Sequence, residues 1–368
     1  LSFAPCARVE PAPFSVRASS NLAHLADPRV GAMILYTSGG LASLRHIFQR
    51  RGSVFPMAAL IALPCAAIAG IMSSIIRLGY LPTLEGDASV LGDSAAWSGF
   101  SSLVGFLIVF RTSQAYSRFW DGCTATHKMR AEWFDACSSI MAFTKYSTAS
   151  SEKVSVFKHT LVRLFSMLHA LSLAEIEDCS HDDVGNISAL NYELIDVTSI
   201  DDASLHAIKV ADSKVELVFQ WIQQLIVVNI GTGVLSIPPP ILSRSFQELA
   251  NGMVEFHDAL KISSIPFPFP YCQTCDCLLV LHWIGTPFVI CQWVLAPWWA
   301  FALSFVQVFI LWCLNFIAVE IENPFGMDAN DIDAASMQEE MNRHLMLLLS
   351  PQTSKIPRLV SKNGEDER

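Results

Sequence analysis

The chain has 368 residues, of which 52% are hydrophobic and only 16% charged, with a formal net charge of −10. A soluble domain carries about 25% charged residues, so the composition argues for one integral membrane unit over two soluble domains. The acidic balance gives no support for nucleic-acid binding, which needs a basic face.

Residues 1–20, LSFAPCARVEPAPFSVRASS, set Arg8 and Arg17 against Glu10 amid Ser, Ala and Pro. That composition fits an organellar transit segment or a plain flexible tail. The chain starts at Leu1, so further sequence is expected upstream. Residues 1–42 are taken as this leading segment, 43–349 as a single membrane domain and 350–368 as a polar tail.

Four apolar stretches approach the roughly 20 residues a helical span needs. They cover about 54–76, 95–116, 277–295 and 298–319. Only the Ala296–Pro297 corner separates the last two, which therefore form a helical hairpin. Arg45, Arg50 and Arg51 precede the first span, and the loop after it holds Glu85, Asp87 and Asp93 against Arg77. Arg111 and Arg118 end the second. Positive-inside reasoning places both termini and the large middle region on one side of the membrane.

The second span is the informative one. Ser94, Ser98, Gly99, Ser101, Ser102 and Gly105 are unusual on a helix facing lipid, and small residues permit close helix packing. Ser102, Phe106 and Phe110 recur one turn apart. Two readings stand: bundle packing, or rings of these side chains around a symmetry axis. Aromatic edges carry partial positive charge, and a hydrophobic constriction can gate by dewetting.

The region from Arg111 to about Pro266 is helical by pattern, with no strand signal. Phe157, Leu161, Leu164, Phe165, Leu168 and Leu171 form one stripe, and Val215, Val218, Phe219, Ile222 and Leu225 another. Turns are expected at Ser150–Ser151 and 181–187. Ile237 to Pro240 should end one helix before the next begins near Ser243. The fold class is an all-α membrane protein with four spans and a large helical extramembrane part. No phosphate-binding GxxxxGK[ST] loop or HExxH helix is present, so nucleotide-driven pumping is not expected.

Cys272, Cys275 and Cys277 cluster without a second pair at zinc spacing, and read as buried thiols before a metal site. Glu255 with His257, or His159 with His169, could be offered as metal ligands of a membrane enzyme. Their spacing does not place two ligands on adjacent helical turns.

Three segments carry a family resemblance. FRTSQAYSRFWDG (residues 110–122) resembles the bestrophin F-R-x-x-x-x-Y-x-R-x-x-E-G. SIPFPFPYCQ (264–273) is similar to that family's I-P-x-P-F-x-Y entry to the third span, and EIENPFGMDAND (320–331) to its E-x-E-N-P-F-G-x-D-x-N-D. The forms lie nearest the plant, algal and bacterial branch, which includes chloroplast voltage-dependent chloride channels.

The resemblance implies a homopentameric channel in a lipid bilayer, passing chloride or bicarbonate through a pore lined by the second span. It implies a neck of Ser102, Phe106 and Phe110, where Ser102 departs from the usual aliphatic residue and widens the outer ring. A second constriction, the aperture, is expected between Pro240 and Glu255, with no residue assigned. Some bacterial relatives pass cations, and a non-conducting scaffold subunit is the other alternative. The transit-like start and the branch together imply a chloroplast thylakoid or envelope membrane, with stromal termini.

Relatives hold calcium just after the fourth span, and Asp328 and Asp331, with Asn323, occupy matching places. Oxygen-rich loops suit calcium. The alternative is that Asn323, Asp328 and Asp331 cap a helix over about 334–349, meeting its free backbone N–H groups.

Overall fold

The computed structural model describes residue 34 and residues 48–81, 94–177, 192–326 and 328–357. The transit-like stretch apart from residue 34, the acidic loop after the first span and the 181–187 turn lie outside the described residues. Nine α-helices, and no strand, are found among the described residues.

Helix α1 (Phe55–Arg77) starts with a proline in its first turn, where a missing N–H costs nothing. It buries a face of Ala58, Ala62, Cys65, Ala66 and Ala69 against α8 (Pro297–Glu322). Small side chains let these two backbones approach closely. The Trp283 indole donates to the Ile61 carbonyl at 2.9 Å and the Ser73 hydroxyl to Val294 O at 2.9 Å, which ties α1 to α7 (Phe269–Trp293). The expected corner is present: residues 294–296 separate α7 from Pro297, the first residue of α8.

Helix α2 (Ser94–Phe143) is longer than the span read from sequence, which stopped near residue 116. No proline interrupts these 50 residues, so the helix runs on for about 75 Å, at 1.5 Å per residue. Its first half belongs with the apolar helices. Its second half enters a separate helical body built from α3 (Ser151–Glu177), α4 (Asp202–Val210), α5 (Lys214–Gly231), α6 (Pro239–Ser264) and α9 (Ala334–Leu349).

All six residues of the expected α3 stripe are buried. On α5 the buried line is Val215, Val218, Ile222 and Ile226, with Phe219 and Leu225 half-buried beside it. Helix α6 begins at Pro239 and not near Ser243. Successive prolines fit a first turn, which has no intrahelical N–H bonds to lose. Further along α6, a Cβ at Gly252 would overlap the indole of Trp133. The absent side chain therefore lets α6 lie on α2, and Trp133 Nε1 donates to Leu249 O at 3.3 Å.

Four helical stretches are long and apolar enough to cross a membrane. They fall on α1, the start of α2, α7 and α8. The third is continuous in hydropathy with α6, but Arg244, Glu248, Glu255, Asp258 and Lys261 confine its apolar window to α7. The chain is an integral membrane protein.

Candidate functional site: the α2 face and the junction below it

Helix α2 has two unlike faces in its apolar half. Val104, Ile108, Arg111 and Ala115 turn inward and are buried. Ser102, Phe106 and Phe110 turn outward, with Phe106 69% and Phe110 38% exposed. Phe110 leans on Tyr271 at the start of α7, ring centroids 6.0 Å apart, so Phe106 stands out the further of the two. The structure thus places all three candidate neck residues on one unburied stripe of a single chain.

Arg111 and Arg118 read from sequence as charges flanking a span. Both lie within α2 instead, and both are committed to internal bonds. The guanidinium of Arg111, 4% exposed, donates to Asn315 Oδ1 at 2.9 Å, Glu322 Oε2 at 3.3 Å and Asp276 Oδ1 at 3.5 Å. One cation therefore joins α2, α7 and α8 at the end of the apolar layer. A buried charge is tolerable only when paired and hydrogen-bonded; the two terminal nitrogens find these three acceptors, while Nε has no hydrogen-bond partner among the described residues.

Two turns further, Arg118 Nε donates to Glu322 O at 2.8 Å. Its terminal nitrogen reaches the carbonyls of Ile262 and Ile265. Those carbonyls sit where α6 gives way to α7, so Arg118 bonds the chain turn that aims α7 into the membrane. At Gly122 a Cβ would sit 2.8 Å from Pro324 Cγ and 3.0 Å from Phe325 Cζ. Glycine is required there for the Asn323–Pro324–Phe325 turn to dock against α2. The three sequence segments are thus one structural junction.

The loop after α8 closes on itself. The Asp328 N–H donates to Asp331 Oδ2 at 2.7 Å, and Ile332 N–H to Pro324 O at 3.0 Å. Asn330 donates to Glu320 Oε1 at 3.0 Å and to Gly52 O at 3.1 Å, which links the loop to the approach to α1. Asp331 is buried, and desolvation, with lesser help from Asp328 and Glu320, raises its carboxyl pKa. The Asp328 N–H bond opposes that shift. Asn323 and Asp328 are exposed.

Sequence reasoning offered Asn323, Asp328 and Asp331 as caps for α9. The N-cap is Asp333, whose carboxylate accepts from Ser336 N at 2.9 Å. Asp331 closes the loop instead, because its side chain points back at Asp328. Among the described residues, no three His, Cys, Asp or Glu side chains gather as metal ligands would. One Asp331 oxygen is already engaged by a backbone donor, so Asp331 closes this turn.

The other proposed ligands also separate. Glu255 pairs with Lys128 at 3.4 Å, while His257 Nδ1 lies 2.8 Å from Met253 O and Nε2 3.6 Å from Glu216. His169 is fully buried with Nδ1 2.6 Å from Gln338 Oε1, and burial pushes its pKa down to about 4. His159 is only partly buried, with its pKa lowered by desolvation and by Arg163. Of the cysteine trio, Cys275 is buried, Cys272 half-buried and Cys277 exposed. In the stretch expected to hold an aperture, Ile241 and Val254 are the large exposed apolar residues of α6.

Sequence reasoning missed Asn315, Asp276 and Glu322 as partners of Arg111. An Asn and an Asp isolated in otherwise apolar helices were the available signal, since such residues mark interhelical bonds.

A family model described as Bacterial/Fungal Bestrophin protein matches residues 36–346. A voltage-dependent anion channel-forming protein of Nostoc sp. is 26% identical over 308 residues, covering 83% of this chain and 91% of that one. A protein of the same description from Synechocystis sp. is 25% identical over 303 residues, covering 81% and 89%. In three dimensions, a bacterial bestrophin homologue from Klebsiella pneumoniae superposes with a TM-score of 0.64 at 14% identity, covering 82% of this chain and 99% of that one. With the α2 junction built from the three resembling segments and the family match spanning most of its length, the chain belongs to the bestrophin family.

Proposed function

We propose that the protein is a passive anion channel, a homopentamer of membrane domains spanning residues 43–349, with α2 of each subunit facing a central axis. The observation that carries this reading is the two-faced α2. Val104, Ile108 and Arg111 fix one side of the helix to its own subunit, while Ser102, Phe106 and Phe110 face away from it. Five such faces around an axis would stack a serine ring on two phenylalanine rings. Ring edges of positive potential tolerate a partly dehydrated anion, and the apolar constriction limits the flow of water and ions. The Nostoc and Synechocystis relatives are described as anion channel-forming, which supports the class of permeant ion. Chloride and bicarbonate are the permeant ions, the chloroplast thylakoid or envelope is the site of action, and the termini face the stroma.

Currents from the purified protein in lipid bilayers, under asymmetric KCl, test the reading. A reversal potential near the chloride equilibrium value is expected, and one near the potassium value sinks the anion assignment. Phe106→Ala should change the chloride-to-potassium permeability ratio or the rectification, because it removes the ring from the constriction. Unchanged currents remove Phe106 from the neck. Running the same recording with and without calcium asks whether Asn323, Asp328 and Asp331 bind it, and a calcium-independent current assigns them the turn alone.

A further inference from the structure

Among the described residues, the apolar layer holds one imidazole. His282 on α7 is 1% exposed, with Trp97 stacked on it at 5.1 Å and Phe100 at 6.2 Å between centroids. Its Nε2 lies 3.2 Å from Gln307 Nε2 on α8 and 3.3 Å from Ser101 Oγ on α2, and Gln307 Nε2 also lies 3.4 Å from Ser101 Oγ. On the other side of the ring, Nδ1 lies 3.3 Å from Thr286 Oγ1. The cluster therefore joins α7 and α8 to α2 at the residue preceding Ser102.

Hydrogen-bond polarity sets how this cluster works. The Thr286 hydroxyl donates to His282 O at 2.6 Å, so its lone pairs are open to a proton on Nδ1. With the proton on Nδ1, Nε2 is an acceptor and takes a bond from the Gln307 amide. A second proton turns Nε2 into a donor facing the Gln307 NH2. The two donors repel, and the one acceptor near the new N–H is the Ser101 hydroxyl, 3.3 Å away and already taking a bond from Gln307, so the amide must rotate or α2 must shift at Ser101. Polar and ionisable side chains inside a bilayer are costly and occur where a pathway or switch uses them.

We propose that His282 is a positioning residue for the pore helix, holding Ser101 and hence the Ser102 ring through Gln307 only while its Nε2 carries no proton, so that acidification narrows the pore. This rests on the reading of α2 as the pore wall.

Among the described residues of these helices, no charged group competes for the role. Residues 94–110 of α2, 55–76 of α1 and 297–319 of α8 contain no Asp, Glu, Lys or Arg. On α7 itself the one other charged residue is Asp276, six positions earlier and engaged with Arg111. The remaining titratable groups of these stretches and of α7, among the described residues, are the Tyr271 phenol at the start of α7 and cysteine thiols, of which Cys65 lies 3.3 Å from Trp283 O. Ser98 and Ser102 lie on the exposed face beside Ser101 and give a proton a polar approach.

Current amplitude in bilayers, measured between about pH 4 and pH 8 so as to cover the range over which buried and exposed histidines titrate, tests the proposal. Wild-type current should fall by at least about 2-fold on acidification, on the scale of a lost interhelical bond. His282→Phe, which keeps a ring against Trp97, should flatten the curve. Gln307→Leu removes the donor that favours the unprotonated ring, so the midpoint should move toward neutral pH by roughly half a unit or more. A pH curve unchanged in either folded variant overturns the role of His282 while leaving the channel intact. Wild-type protein that passes no anion current at any pH overturns the channel reading itself. Should His282→Phe fail to fold, Gln307→Leu alone decides the question.

Discussion

The two halves of this molecule are held together by different means. In the extramembrane body the buried positions are large: Trp133, Phe157, Phe165, Phe256, Met129, Leu161 and Leu168 form one continuous core across α2, α3, α5, α6 and α9. In the membrane layer the order is reversed. The buried positions there are mostly small, as Ala58, Ala62, Ala66, Ala69, Ala300 and Ser304 show, while Leu60, Leu103, Val306 and Ile310 are exposed. Water drives large side chains together, at about 25 cal/mol per Å² of apolar area. Lipid exerts no such drive, so membrane helices rely on close backbone approach and polar cross-links. Arg111 with Asn315 and Glu322, and His282 with Gln307 and Ser101, are among those cross-links here.

The largest expected effect lies in the water-driven half. Trp133 is fully buried and donates to Leu249 O. Trp133→Ala should destabilise the extramembrane body by about 3–5 kcal/mol, the usual cost of an emptied aromatic site. Thermal unfolding in detergent, followed by protease sensitivity of α5 and α6, would measure it. A loss below about 1 kcal/mol would falsify the assignment of Trp133 to a shared core.

In the membrane half, Arg111→Met should cost less, about 2–3 kcal/mol. Removing one partner of a fully buried ion pair costs about 3–5 kcal/mol, but the Asp276 side chain is 59% exposed and Glu322 19%, so solvent shares the stranded charges. Pairing the variant with Glu322→Gln should recover part of the loss. Additive losses would show that Arg111 and Glu322 do not act together.

Next in size is a test of the small-residue seam. Ala62 is fully buried against α8, in the cluster with Cys65 and Val308. Ala62→Leu should cost about 1–3 kcal/mol by overpacking, while Leu60→Ala, on the exposed side of the same helix, should cost little in detergent. Equal effects at the two positions would mean that α1 is not seated on α8 by that face.

Periodicity made the apolar stripes legible. The α3 stripe is buried throughout, and α9 spans the expected residues Ala334–Leu349. That Ser102, Phe106 and Phe110 share one stripe was legible from their spacing, and the structure leaves that stripe unburied. What stayed hidden depended on partners far along the chain. The extension of α2 to Phe143 follows from an absence of breakers, which is a weak signal beside a strong change in hydropathy at Arg111. The roles of Arg111 and Arg118 follow from residues more than 140 positions away, and local pattern read them only as charges flanking a span. Asp333 caps α9 because Asp331 turns back onto Asp328, and four neighbouring oxygen-bearing side chains cannot be ranked as caps by spacing alone.

The smallest expected effect lies at that turn, where the two halves meet. Asp331 is buried, and desolvation raises its pKa in the folded protein. The folded state then holds the proton at pH values where the unfolded chain has released it. This contribution to stability is full below the ordinary carboxylate range, near pH 4, and is lost as pH rises through the higher folded-state value. At neutral pH the buried charge is therefore a net cost, eased but not removed by the Asp328 N–H bond. Asp331→Asn keeps an acceptor for that N–H and removes the charge. Its stability should equal or slightly exceed that of the parent at pH 7, with the difference shrinking as the pH is lowered into the carboxylate range. Unfolding midpoints of the two proteins, compared across about pH 4 to 7, measure this, and a variant less stable at pH 7 than at pH 4 relative to the parent would reverse the assignment. In that case the charge itself would be stabilising, as it would be if a cation sat against it.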